Sequence, residues 1–330
     1  MLPSTLFLSD DDVGALAHWP AAVSALASAY AKPMQNTMVP PRSMARGDGI
    51  WLRGLTAVSP SGGYMGCKLI AASMKARRAS YLIALFDQQT MALAALMDGN
   101  RITGIRTAAT AALAVNLLAP PRPLSVAVIG SGFEARNLLY ALMATRTVST
   151  ATVFSPTPAS RERFAASFRG ECGLAISAAD SAPTALCGTD VVLCAARSRD
   201  ESPVLLGAWL EPGMTVVSVG STLPEQRELD EQALARARRV VADMKDEVAY
   251  ETGDAIAATS AGIDLGAKLV SLADVVSGRA LGRNNPEDIL IYKSVGSALQ
   301  DVVISEMLFE RARSMGMGTP LPVSIRPNAK

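Results

Sequence analysis

One octapeptide constrains the fold of this chain more than any other feature. Val128-Ile129-Gly130-Ser131-Gly132-Phe133-Glu134-Ala135 has the form GxGxxA. It follows an apolar run from Leu124 to Ile129 and opens a helical pattern from Glu134 to Ala144. Each small residue has a reason. Gly130 permits a tight turn, Gly132 lets a backbone approach a pyrophosphate, and Ala135 lets the helix pack closely on its strand. The helix N-terminus then faces negative charge with unpaired N–H groups. Standing alone, such a motif also occurs in structural turns. Here the flanking strand and helix, and a further strand at Ala151–Phe154, supply the context that a dinucleotide site requires.

The rest of the chain is organised around that unit. Pro120, Pro121 and Pro123 punctuate the sequence just before it, and a domain boundary is expected there. Strands at Asp190–Ala195, Met214–Val219 and Arg239–Asp243, with a helix at Ala159–Phe168, continue an alternation that predicts a parallel sheet covered by helices. Upstream, Ser9-Asp10-Asp11-Asp12 reads as a capped helix start, with a helix running to about Tyr30 and a break at Pro40-Pro41-Arg42. Strands with turns are expected over Gly54–Ile70, then strands at Tyr81–Phe86 and Met91–Met97, and a turn at Asp98-Gly99-Asn100. A buried helix is expected from Thr107 to Leu118, and a C-terminal helix from Ser297 to Ser314. The fold class is therefore α/β: residues 120–304 form a Rossmann dinucleotide-binding domain, and residues 1–119 with 305–330 form an α+β domain.

Composition narrows the function. The 330 residues are 49 % apolar and carry a net charge of +1, so neither nucleic acid nor an acidic membrane surface is an expected partner. Cys67, Cys172, Cys187 and Cys194 form no CxxC pair and no zinc pattern, and read as reduced thiols of the cytoplasm. The first 31 residues hold no Lys or Arg, unlike a secretory start. His18 is the only histidine and reads as a helix-surface residue. Histidine acid–base chemistry and a multi-histidine metal site are disfavoured, and no metal is expected.

Several cations stand out. Residues 145–161 contain no acid, whereas an NAD-binding strand usually ends near a carboxylate that holds the ribose. Ser155, Thr157 and Arg161 stand there instead. This favours NADP(H) over NAD(H), although Arg161 and Arg163 also suit a solvated helix face. Arg106 enters an apolar helix and needs an anion, either a structural ion pair or a substrate carboxylate. Lys68 lies in an apolar strand, where an edge-strand charge is as common as a site residue, and Arg42 is similarly ambiguous.

Taken in order, Gly66-Cys67-Lys68, Asp98, Thr103, Arg106-Thr107-Ala108-Ala109, the GxGxxA unit, Gly220-Ser221, Arg227-Glu228-Leu229-Asp230, Glu251-Thr252-Gly253-Asp254, Gly278 to Gly282-Arg283, Ser294-Val295-Gly296 and Gln300-Asp301 resemble the ornithine cyclodeaminase/mu-crystallin family. The resemblance runs from about residue 5 to about residue 320. It implies a homodimer, with an N-terminal domain that binds substrate and dimerises, completed by the C-terminal helix, and a Rossmann domain that holds NAD(P). It implies that Arg42, Lys68 and Arg106 surround a substrate carboxylate, with Lys68 and Arg106 catalytic and Thr222 and Gly296 also at the substrate. On the cofactor side it implies Thr107, Gly130, Ser131, Gly132, Phe133, Glu134, Ala135, Ser155, Thr157, Arg161, Ala196, Ser198 and Gly220. Met44, Trp51, Leu52 and Met65 are candidates for the substrate pocket and equally for the core.

One departure bears on chemistry. Ornithine cyclodeaminases carry an aspartate after the Gly-Gly of a strand-end loop, where this chain has Thr222. A threonine hydroxyl is no base near neutral pH. Glu134 and the Ala196-Arg197-Ser198 loop also depart from the usual Gln and Thr-x-Ser. The expected activity is thus NAD(P)H-dependent reduction of a 2-imino acid, cyclic or acyclic, with pyrroline-2-carboxylate and piperideine-2-carboxylate as the first candidates and a dicarboxylic imine such as iminosuccinate also open. An ornithine or lysine cyclodeaminase that recycles NAD, and a non-catalytic NADPH binder, are the alternatives.

Overall fold

The computed structural model describes residues 4–73, 75–322, 325, 327 and 328. The other positions of the expected 1–119 and 305–330 segments lie outside the described residues. The chain divides into two compact units, Met1–Arg106 with Ser297–Lys330, and Thr107–Gly296. The sequence reading put the junctions at 119/120 and 304/305. The prolines mark where a helix stops, whereas the packing of that helix assigns its second half to the unit that follows.

The first unit opens with β1 (Leu6–Leu8), α1 (Asp10–Leu16) and α2 (Trp19–Ala31). Ser9 caps α1 in a capping box with Asp12. The expected single helix to Tyr30 is two helices. Pro20 has no N–H and occupies the first turn of α2, where none is required. His18 is the N-cap of α2: its Nδ1 accepts from the Ala21 N–H at 3.2 Å, so it is a cap rather than a surface residue along a helix.

Five strands follow: β2 (Ser43–Arg46), β3 (Ile50–Val58), β4 (Tyr64–Ser73), β5 (Arg78–Asp87) and β6 (Leu93–Asp98). The expected strand at Met91 begins two residues later, because Met91 takes a positive φ of 58° in the turn. The expected turn at Asp98-Gly99-Asn100 is a helix start. Asp98 Oδ1 accepts from the Asn100 N–H, and α3 runs from Gly99 to Leu118. Arg106 is therefore well inside this helix and not at its beginning.

In the second unit, β7 (Leu124–Ile129), α4 (Phe133–Met143), β8 (Val148–Phe154), α5 (Pro158–Cys172), β9 (Ile176–Ala178), α6 (Ala182–Leu186), β10 (Val191–Cys194), β11 (Thr215–Ser218), α7 (Glu231–Arg236) and β12 (Arg239–Ala242) come in order. Then come α8 (Lys245–Glu251), α9 (Gly253–Ser260), β13 (Leu269–Ser271), α10 (Leu272–Val276) and β14 (Leu290–Lys293). The chain closes in the first unit with α11 (Ala298–Met315) and β15 (Thr319–Pro320).

The first unit's sheet has the order β15-β1-β6-β5-β4-β3-β2. Its long strands alternate, as a sheet with one covered face requires. Leu55, Lys68, Ile83 and Met97 are cross-strand neighbours on the buried face. Helix α11 packs on β3, β4 and β5. The second unit's sheet has the order β13-β12-β14-β11-β10-β7-β8-β9, and every pairing is parallel. Strands β10, β11 and β14 are buried along their whole length, as expected of strands covered on both faces. The order reverses between β7 and β10, so their C-terminal ends form the switch-point crevice of a doubly wound fold.

Candidate functional site

In the first unit, chemistry gathers around Asp301 on α11. Lys68 is on β4, between β3 and β5, so it is no edge-strand charge. Its Nζ lies 3.0 Å from Asp301 Oδ1 and donates to Thr103 Oγ1 at 2.6 Å. Thr103 in turn donates to the Gly99 carbonyl. The Lys68 and Asp301 side chains are 1 % and 2 % exposed. Arg106 brings Nε to 3.3 Å from the same carboxylate oxygen, and its Nη1 donates to Gln300 Oε1 at 3.1 Å. Gln300 is held by its Nε2 donating to the Tyr30 hydroxyl. One carboxylate and one amide thus fix two cations that the sequence offered separately. Asp301 and Gln300 were legible only as part of a motif; their roles emerge from the α11–β4 packing. The Lys68 ammonium also lies 5.5 Å from the Tyr81 ring centroid.

Arg42 precedes edge strand β2 and is half-buried. Its neighbour Ser43 pairs with Gly54, and Gly54 with Leu69, which puts Arg42 two strands from Lys68 at nearly the same level. Of the four pocket candidates, Met44 and Trp51 share the sheet face of Lys68. Leu52 and Met65 lie on the opposite face, because their strand parity differs.

In the second unit, Gly130 ends β7 with φ +109°, and a Cβ there would stand 2.6 Å from the Ala195 carbonyl oxygen. That close approach seals the floor of the crevice between β7 and β10. Gly132 is the N-cap of α4, with no side-chain cap. A Cβ at Gly132 would meet nothing within 4 Å, so the helix N-terminus faces open space. Phe133 is exposed, Glu134 is half-buried in the first turn, and Ala135 is fully buried. Ser131 donates to Ser155 Oγ at 3.1 Å, which ties the glycine loop to the end of β8. A pyrophosphate fits this cradle.

Thr157 is exposed at the N-cap of α5. Arg161 is buried, donating to the Ser155 carbonyl at 3.2 Å and pairing with Asp180 at 2.5 Å. Asp180 follows β9, and its side chain is 95 % exposed. Arg161 thus has a carboxylate partner from outside residues 145–161. Ser198 donates to the Ser202 carbonyl within its own loop. Thr107 is buried in α3.

A buried network stands at the ends of β11 and β14; Glu228 and Asp254 belong to motifs quoted above, but their meeting with Lys293 is not legible from spacing. Glu228, fully buried, accepts from the Ala196 N–H at 3.0 Å, the Gly220 N–H at 2.9 Å and the Ser218 hydroxyl at 2.5 Å. A Cβ at Gly220 would stand 2.3 Å from Glu228 Oε1, so only glycine fits. Burial pushes the Glu228 carboxyl above its ordinary 4.5, while Lys293 and the three donors oppose the shift. Lys293 Nζ lies 2.8 Å from Asp254 and donates to Ser218 at 2.9 Å. Asp254 also accepts from the Glu228 and Leu229 N–H groups. Thr222 N–H and Oγ1 both donate to Gln226 Oε1, at 3.0 and 3.2 Å. The Gly296 N–H donates to Asp243, which also receives Ser294 and the Val295 N–H.

This combination of a doubly wound sheet and a Lys–Asp–Arg cluster agrees with comparison to known proteins. The profile of the ornithine cyclodeaminase/mu-crystallin family matches residues 13–316. The chain belongs to this family. Among ornithine cyclodeaminase/mu-crystallin proteins, the Δ1-pyrroline-2-carboxylate reductase of Bacillus cereus is 28 % identical over 286 residues, covering 86 % of this chain and 84 % of its own. The ketimine reductase mu-crystallin of Mus musculus is 29 % identical over 228 residues, covering 69 % and 68 %. The Δ1-pyrroline-2-carboxylate reductase of Thermococcus litoralis, solved with NADH and L-proline, superposes with a TM-score of 0.88 at 28 % identity, covering 96 % of this chain and all of that one.

Proposed function

We propose that this protein is an NAD(P)H-dependent reductase of 2-imino acids. The observation that carries the choice of reduction is Thr222. At the position where cyclodeaminases have an aspartate, its hydroxyl is turned to Gln226, and it offers no base for removing ammonia. An iminium substrate arrives with its proton and needs chiefly a hydride, which the reduced nicotinamide supplies when bound.

The chain's own residues do the positioning. Arg106 and Lys68 hold the substrate carboxylate, with Arg42 at the edge. Asp301, Gln300 and Thr103 keep the first two from reorganising, so their charge is in place before the substrate arrives. Lys68 also supplies a proton, directly or through water, to a substrate that arrives as the neutral imine, so that hydride always meets the iminium form. In the second unit, Gly130, Ser131, Gly132, Phe133, Glu134 and Ala135 carry the pyrophosphate and adjacent groups, Ser155, Thr157 and Arg161 the ribose end, and Thr107, Ala196, Ser198 and Gly220 the remainder. Thr222 and Gly296 serve the substrate.

A preference for NADP(H) over NAD(H) is part of this reading. It rests on the absence of an acid at the end of β8 and on the exposed Thr157 hydroxyl; Arg161 contributes less, because Asp180 already shares its charge. A homodimer is also part of it: Leu69 and Leu82, direct cross-strand neighbours, are 38 % and 40 % exposed, with Leu52 at 47 % on the same face. Such an apolar patch suits a self-complementary interface. A cytoplasmic location is part of the reading as well; no helix among the described residues is long and apolar enough to cross a membrane.

The test is loss of reduced-nicotinamide absorbance with pyrroline-2-carboxylate, with NADPH and then NADH. Turnover supports the reading. Ammonia release from ornithine with no net cofactor turnover overturns it.

A further inference from the structure

The loop after β11 places a constraint on Thr222 that the reading above does not use. Residues 223–226 form a turn, closed by the Gln226 N–H donating to the Leu223 carbonyl at 3.0 Å. Pro224 takes the second position of that turn, which suits its fixed φ. The Gln226 carbonyl accepts from the Ser221 hydroxyl at 2.6 Å, and the Leu223 carbonyl also accepts from the Gly253 N–H at 3.1 Å. A Cβ at Gly253 would overlap the Gln226 carbonyl oxygen, so the turn lies directly against the start of α9. Lys293 Nζ donates to the Ser221 carbonyl at 3.3 Å. The backbone on both sides of Thr222 is thus held within the second unit.

The Gln226 side chain folds back over this loop. Its Oε1 lies 3.0 Å from the Thr222 nitrogen and 3.2 Å from Thr222 Oγ1. A backbone N–H can only donate, so the Gln226 atom that meets it is the amide oxygen and not the amide nitrogen. That oxygen cannot donate, so the Thr222 hydroxyl has to. A hydroxyl has one proton and two lone pairs. With the proton committed, Thr222 Oγ1 can only accept from a further partner. Among the described residues it accepts from none, and Thr222 is half-buried. An unrestrained threonine turns its hydroxyl to suit either a donor or an acceptor; here Gln226 removes that choice.

The consequence is chemical. The N–H of a protonated imine donates into a lone pair that is already in place. A neutral imine nitrogen, or the carbonyl oxygen of a 2-oxo acid, brings a lone pair against a lone pair and leaves both unsatisfied. We propose that Gln226 is a positioning residue that makes Thr222 an obligate hydrogen-bond acceptor, so that the site selects ligands with an N–H at the imine nitrogen, the protonated form. This rests on the imino-acid reductase reading, in which Thr222 serves the substrate.

The test uses two planar acids of one ring size. Pyrrole-2-carboxylate carries an N–H where furan-2-carboxylate carries a ring oxygen. Each is measured as a competitive inhibitor of imine reduction by the full-length enzyme. The wild type should bind pyrrole-2-carboxylate at least about 10-fold more tightly, the order of effect when one acceptor is left facing another. Thr222→Val removes the lone pairs and should bring the two inhibition constants within about 2-fold of each other, whereas Thr222→Ser should keep most of the difference. Gln226→Leu frees the hydroxyl to donate, so it should narrow the ratio chiefly by tightening furan-2-carboxylate. Gln226→Glu still accepts and should preserve the ratio. A loss of affinity in Gln226→Leu that is equal for both acids marks a structural role and overturns the proposal. Wild-type enzyme that binds the two acids equally, prefers the furan or binds neither overturns it as well, while imine turnover in the same assay leaves the reductase reading standing. No turnover of any imine with either cofactor overturns both. The wild-type ratio decides the matter even where a variant fails to fold.

Discussion

The pairing of Lys68 and Arg106 with a single carboxylate makes a quantitative claim about stability. Asp301→Asn removes a charge that faces two cations, one almost fully buried and the other 13 % exposed. Removing one partner of a buried ion pair costs about 3–5 kcal/mol. A chain of 330 residues has a urea m-value at or above the roughly 1–3 kcal/mol/M of small proteins, so the midpoint should fall by about 0.5 M or more. Lys68→Met should cost less, because Asp301 keeps Arg106 at 3.3 Å. The double variant tests the argument. Taking away Lys68 relieves one of the two cations that Asp301→Asn leaves behind, so the pair should couple by about 1 kcal/mol or more. The assay is urea unfolding followed by tryptophan fluorescence in a Trp209→Phe background, in which Trp19 and Trp51 report on the first unit. If the double variant loses the sum of the two single losses, the electrostatic account of this cluster is refuted.

Other expectations follow from the same geometry. Arg106→Ala should raise KM and lower kcat on any imine; unchanged steady-state kinetics would remove its carboxylate role. Gly132→Val should leave the far-UV spectrum intact and cost no more than about 1–2 kcal/mol at the cap, yet abolish NADH binding by fluorescence titration, since the new side chain enters the space before α4. Asp180→Asn should free Arg161 and raise the ratio of kcat/KM for NADPH over NADH several-fold, and an unchanged ratio would show that Arg161 takes no part. The carboxyl of Glu228 sits above its ordinary 4.5 in the fold because of burial, so the folded chain holds that proton more tightly than the unfolded one. Its contribution to stability is therefore full below pH 4.5 and is lost as pH rises through the folded value. Glu228→Gln should flatten that part of the stability–pH curve, measured by urea midpoints; an unaltered slope would count against the buried, proton-retaining carboxyl.

Much of the architecture can be read from the chain because local rules and global fold agree there. The GxGxxA turn needs glycine for its backbone angle and its close contact with Ala195, and the alternation of apolar strands with helices leaves few options but a parallel sheet. The break between α1 and α2 was missed by the expectation of one helix to about Tyr30, although Pro20, which suits a first helical turn, is a signal for it. Strand parity separates Met44 and Trp51 from Leu52 and Met65 once the register is known. What could not be read is the long-range pairing of buried charges. Lys293 ends an apolar strand, Asp254 opens a helix and Glu228 lies in a loop, and no spacing among the three announces that they meet. The same holds for Asp180, whose tie to Arg161 requires knowing that β9 lies beside β8.

The carboxylate of Glu228 joins the second residues beyond two different strands by holding the N–H groups of Ala196 and Gly220 at once. Those two loops therefore cannot drift independently. A substitution that displaces the end of β10 is felt at the end of β11 through a side chain that itself need touch no ligand. Variation that retunes the rim of this crevice is therefore more readily accommodated at side chains than in the path of the backbone.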